Sequence, residues 1–127
     1  MADNYAEALQ EFWESFGWDA YDENTVPSED QNLPDKRITY ECPMTEFDQS
    51  PVTMTADLWD RSYSWEEITK KSLEIYNYIG LGGRIIKFNG GKIWIKRGSP
   101  FSQRMPDEVA EVRRIYLILA AEFFITN

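Results

Sequence analysis

Between residues 52 and 79 the spacing of apolar side chains changes from every second position to every third or fourth. Val52, Met54, Ala56 and Leu58 point one way and Thr53, Thr55 and Asp57 the other, the pattern of a half-buried strand. Trp65, Ile68, Ser72, Ile75 and Ile79 then make one stripe of a helix over 65–79. Ser64 followed by Glu67 has the spacing of a capping box. Glu66–Lys70 and Glu67–Lys71 are i,i+4 pairs, each worth about 0.2–0.5 kcal/mol. The joint between the two elements reads Trp59-Asp60-Arg61-Ser62-Tyr63-Ser64-Trp65. A one-faced strand beside an amphipathic helix leads to layers of helix on sheet.

The flanking elements fit that plan. Tyr5, Ala8, Leu9, Phe12 and Phe16 form the stripe of a helix over 4–16, with Asn4 as cap, Glu7 three residues on, and Gly17 as the stop. Trp13 lies off this stripe and is expected to face a neighbour. Residues 17–36 are turn-rich and read as an irregular linker. Ile38, Tyr40 and Cys42 alternate with Thr39 and Glu41 in a strand over 37–42 that Pro43 ends. Thr45 to Pro51 read as a hairpin loop, so this strand and 52–58 are expected to be antiparallel neighbours. Asn89-Gly90-Gly91 between 84–88 and 92–97 is a hairpin signal. Residues 98–111, with Gly98, Pro100 and Pro106, read as a second irregular loop. Residues 112–125 place Ile115, Leu117, Leu119, Ala121 and Phe123 on one face of a strand. Ile118, Ala120 and Phe124 make the run nearly continuous, as in a central strand buried on both sides. A helix also fits Ile115, Leu119 and Glu122, but the β-branched and aromatic content favours a strand. The expected order is α-β-β-α-β-β-β: an α+β domain with an antiparallel or mixed sheet of about five strands and two helices packed on it.

The 127 residues fit one domain. It divides into an acidic helix and loop over 1–36 and a sheet-helix body over 37–127. No apolar run approaches the roughly 20 residues of a membrane span. The acidic start Met1-Ala2-Asp3-Asn4 does not look like a secretory signal. A lone Cys42 suits a reducing compartment and an inert thiol. The net charge of −9 is unevenly placed. Residues 1–35 hold ten acids and no Lys or Arg, which leaves twelve acids against all 13 bases in the body. The plainer reading is a solvated acidic helix and loop; the sharper one is a surface that repels nucleic acid or meets a basic partner.

Enzyme chemistry has little to stand on. There is no histidine, so nucleophile arrangements that need one are excluded. Adjacent acids such as Glu66–Glu67 and Asp107–Glu108 diverge by about 100° on a helix and do not converge on one atom. The 22–35 loop lacks the glycine and terminal Glu of a Ca²⁺ loop. No catalytic residue, metal or cofactor is therefore expected. Lys92, Lys96 and Arg97 with Trp94 resemble the basic-aromatic mixture of single-strand binders, but a hairpin with one wet face is the favoured account of them.

Several short pieces together resemble the tail-terminator or tail-completion proteins of long-tailed (siphovirus-type) bacteriophages. They are Arg37-Ile38-Thr39-Tyr40-Glu41, Thr53 to Trp59 with Arg61-Ser62 and Ser64-Trp65, and Glu67-Ile68-Thr69-Lys70-Lys71. Gly82-Gly83 with Ile85-Ile86-Lys87, Ile93 to Gly98, Pro100-Phe101 with Gln103-Arg104, and Arg113-Arg114-Ile115-Tyr116 complete the pattern. The likeness covers roughly residues 16–124. Asp60 departs from it, where an aromatic is expected.

The resemblance implies a structural virion protein and no enzyme. It implies a homo-oligomeric ring, a hexamer in the family. The ring caps the tail tube, stops its polymerisation and offers a docking face for the head connector. The partners are then the tail tube protein and the head connector protein, and DNA passes through the lumen without specific binding. The place is the head-proximal end of the virion tail, assembled in the host cytoplasm, with no membrane. On that basis the 98–107 loop, rich in types enriched at interface cores, is the candidate assembly interface: Phe101, Gln103, Arg104 and Met105, with Arg97 leading into it and Trp13 of the first helix as a further candidate. Arg104 is expected to reach an acidic group on the next subunit, with Asp19–Asp35 as candidate, or on the tube protein. A head-completion connector is the nearest alternative, and an acidic DNA-mimic-like module binding a basic host protein is another.

Overall fold

In the computed structural model, which describes residues 1–23, 33–43 and 51–125, eight elements follow one another: α1 (Tyr5–Glu14), β1 (Asp19–Asp22), β2 (Lys36–Glu41), β3 (Val52–Arg61), α2 (Glu66–Ile79), β4 (Arg84–Phe88), β5 (Gly91–Met105) and β6 (Val112–Ile125). The six strands form one mixed sheet in the order β1-β2-β3-β6-β5-β4. β1 runs parallel to β2 and every other pair is antiparallel. The α+β class and the two helices agree with the sequence reading. The sheet gains one strand over it, because β1 lies in the segment read as linker. The expected hairpin loop at 45–50 lies outside the described residues, but β2 and β3 are antiparallel neighbours as expected.

The core is the meeting of both stripes with one face of the sheet. Leu58, Ile68, Ile75 and Leu117 are fully buried and Leu119 almost so. α2 packs across β3, β6 and β5, and α1 against β1 and β4, the two edge strands. One helix can touch both edges only if the sheet is curled. This explains a correction to the sequence reading. Trp13 does not face a neighbour but is 0% exposed, stacked on Tyr40 at 5.9 Å and edge-on to Phe12 at 5.0 Å. A helix wedged between two edges buries a wider arc than a single stripe.

Local bonds refine the capping. Asn4 Oδ1 accepts from the Glu7 N–H at 2.9 Å, and Glu7 Oε2 accepts from the Asp3 N–H at 2.7 Å. At α2 the expected capping box does not form. Trp65 occupies the cap without a side-chain bond, and Ser64 Oγ accepts from Glu66 N–H at 3.1 Å. Glu66–Lys70 closes at 3.3 Å. Lys71 instead pairs with Glu74 at 3.1 Å and donates to the Phe16 carbonyl at 2.6 Å, tying the end of α1 to α2.

Two strands run further than expected. β3 continues through Trp59-Asp60-Arg61, paired along its length with β6. β5 continues to Met105, so residues 98–105 are strand and not loop. The interruption is a register shift between Arg97 and Ser102, which leaves 98–101 as a bulge opposite Ile118. Gly98 belongs there because a Cβ would lie 2.4 Å from the Ile118 carbonyl oxygen. β6 sits between β3 and β5, so it is central. Among the described residues helices cover only one of its faces, against the expectation of burial on both sides. β2 ends at Glu41, one residue before Cys42. Burial, then Asp22, pushes the Cys42 thiol up to about 11, which keeps it protonated and a poor nucleophile. No helix among the described residues is long and apolar enough to cross a membrane.

Candidate assembly surface

The sequence-selected residues divide by strand parity. Beyond the bulge, Ser102 and Arg104 pair with Leu117 and Ile115, whose side chains face the helices, while Gln103 and Met105 pair with Tyr116 and Arg114 on the uncovered face. Arg97, Phe101 and Arg104 therefore gather along α2. Gln103 and Met105 stand on the other side of the sheet, and Trp13 lies in the core.

Along the seam between α2 and β5 the contacts alternate arginine with aromatic rings. At the start of α2, the Arg104 and Arg113 guanidiniums lie 4.6 and 5.3 Å from the Trp65 ring. Arg113 also donates to the carbonyls of Ala110 and Tyr63 at 2.9 and 2.8 Å, which fixes the neighbouring turns. Toward the other end, Arg97 lies 3.4 Å over the Tyr76 ring, and Phe101 meets Tyr76 edge-on at 5.2 Å. Between them a groove of about 220 Å³ is lined by Ser72, Leu73, Tyr76, Phe101 and Ser102. Leu73 on its rim is 54% exposed. Ring faces held by guanidiniums are preorganised, and aromatic and arginine side chains dominate the energetics of protein contacts. What such a strip can do chemically is hold another protein surface.

The sequence reading missed Trp65, Leu73 and Tyr76 as members of this surface. Tyr76 and Leu73 lie off the buried stripe of α2, and that displacement was the available signal. Trp65 was assigned wholly to the core, and it is only half-buried.

The uncovered sheet face has its own ladder. Trp59 lies between the guanidiniums of Arg37 and Arg114, each 5.0 Å from its ring centre, and donates from Nε1 to Thr39 Oγ1 at 3.0 Å. Arg114 Nε meets Asp57 at 2.8 Å, and Lys96 pairs with Glu122 at 3.4 Å while stacking on Trp94 at 3.8 Å. On the other side of β3, in line with Leu58, Asp60, which departs from the resembled pattern, is 1% exposed and faces Lys36 at 3.2 Å.

No protein-family model matches the chain, and no curated protein does. Among solved structures, a chain from the "Virion of native gene transfer agent (GTA) particle" has a similar fold, with a TM-score of 0.56 and 15% sequence identity. The match covers 87% of this chain and 83% of that one. At that identity what is shared is the fold.

Proposed function

We propose that this chain is a structural virion protein that caps the tail tube, ends its polymerisation and gives the head connector a docking face, acting as a homo-oligomeric ring. The observation that carries the reading is the strip of arginine and aromatic side chains along α2 and β5, on a fold shared with a chain of a gene transfer agent virion. The sequence pieces that resemble tail terminators support it, since they supply Trp65, Arg97, Phe101 and Arg104 of that strip. In this role Arg104, half of a stacked pair on Trp65, reaches a carboxylate on the tube protein or on the next subunit. DNA slides through a lumen that does not hold it, with like-charge repulsion from acidic surface.

The test is Arg104→Glu in assembled particles. Tails of irregular length, or tails detached from heads, are expected, with the isolated protein still folded. Normal tails at normal infectivity would remove Arg104 from the role. The carboxylates along α1 favour a second reading, an acidic module that binds a basic protein, and a strict monomer that captures such a protein would support it.

A further inference from the structure

Among the described residues, two groups of surface charges close no ion pair. Asp3, Glu7, Glu11 and Glu14 follow the turns of α1 as one carboxylate stripe, in a stretch where residues 1–35 contain no Lys or Arg. Among the described residues, none of Glu7, Glu11 and Glu14 closes an ion pair. On the uncovered sheet face, Lys87 of β4 stands directly opposite Lys92 of β5. Like charges opposed across a ladder destabilise it. Neither lysine closes an ion pair among the described residues. Lys92 lies 5.7 Å from the Phe124 ring and Lys96 sits on Trp94, with Ile85 beside them 49% exposed. This face is both cationic and apolar.

We infer that the carboxylate stripe of α1 docks on the face of a second copy of this chain that carries Lys87 and Lys92. Charge complementarity selects the occupant, because each patch carries the unmet charge that the other needs. Within one copy they do not satisfy each other. Glu11 and Lys87 line the same cleft of about 260 Å³ without forming an ion pair. Because the two patches are different surfaces, the contact is heterologous, and each copy keeps a free donor and a free acceptor for further copies. The inference rests on the reading of this chain as self-assembling. It assigns the subunit contact to α1 and β4–β5 and leaves the α2–β5 seam for the tube protein.

The test is the solution mass of the full chain against protein concentration, at low and high salt. Association at low salt that weakens as salt rises is expected. Lys87→Glu with Lys92→Glu should raise the dissociation constant about tenfold or more. Glu11→Lys with Glu14→Lys should do the same, and both are exposed and outside the α1 cap. All four together should restore association, with melting curves showing that every variant folds. Failure of the fourfold variant to recover, while each pair alone dissociates, overturns the contact. A wild-type chain that associates but ignores both reversals overturns this contact and leaves self-assembly standing. A strict monomer at every concentration removes both. If the lysine reversal abolishes binding of a single-stranded oligonucleotide and leaves the mass unchanged, the face belongs to nucleic acid and the inference fails.

Discussion

Arg97 lies 3.4 Å from the centre of the Tyr76 ring and donates from Nε and Nη2 to the carbonyl oxygen of the same residue at 3.0 and 2.9 Å. Arg84 does likewise for Tyr78, at 4.1 Å from its ring and 3.1 and 2.8 Å from its carbonyl. α2 carries no base in its last turn, so the strands beside it supply the positive charge that its C-terminal carbonyls favour. The same contact presents the Tyr76 ring to the seam between α2 and β5. Arg97→Ala is expected to cost about 1–2 kcal/mol in chemical denaturation, from lost carbonyl bonds and ring stacking. Arg97→Lys should recover only part, because an ammonium cannot reproduce the planar fork. An Arg97→Ala chain as stable as wild type would contradict this.

Asp60 is buried against Lys36, which remains 44% exposed. Its Oδ2 has no hydrogen-bond partner among the described residues. Lys36→Met leaves a buried carboxylate without its cation and should cost about 2 kcal/mol, below the fully buried range because the lysine is partly in water. Replacing both, Lys36→Met with Asp60→Tyr, should recover that loss or exceed it. The double variant melting below the single one would show that Asp60 has a use its burial does not explain.

Ile75 is 0% exposed beneath α2. Ile75→Ala should lower stability by about 2–5 kcal/mol, the transfer term plus the cavity. An unchanged thermal melt would mean that α2 does not pack as described.

These core positions were legible because burial imposes a period on the sequence, 3.6 for α1 and α2 and two for β3 and β6. β1 was not legible. Four residues reading Asp-Ala-Tyr-Asp show no apolar run, and the charges suit an edge strand that must not pair with strangers. The second half of β5 was hidden by Gly98 and Pro100, which signal a loop. The bulge absorbs both, after which the ladder resumes at Ser102. Reading 98–107 as a loop also put Gln103, Arg104 and Met105 on one surface, whereas strand alternation sends them to two. Trp13 was misplaced because a stripe drawn for one buried side cannot foresee a helix wedged between two sheet edges.

Alkaline stability follows from two weak acids, the buried Tyr40 and the partly buried Cys42. Burial pushes the Tyr40 hydroxyl up to about 12, with Asp22, Glu14 and Cys42 adding to it, while the Cys42 thiol rises to about 11. The unfolded chain releases these protons near 10.0 and 9.0, and the folded chain holds them longer. Stability from this source is therefore complete below pH 9.0 and is lost as pH rises toward about 12. Tyr40→Phe with Cys42→Ser should flatten the decline in melting temperature across that range. An unaltered alkaline slope would assign it to other groups.

Assembly is the central claim, and electron microscopy of the purified full chain tests it most directly. Closed rings of several copies are expected for the wild type, with a mass in solution to match. Single copies at every concentration, in the micrographs and in solution, would contradict a function carried by ring formation.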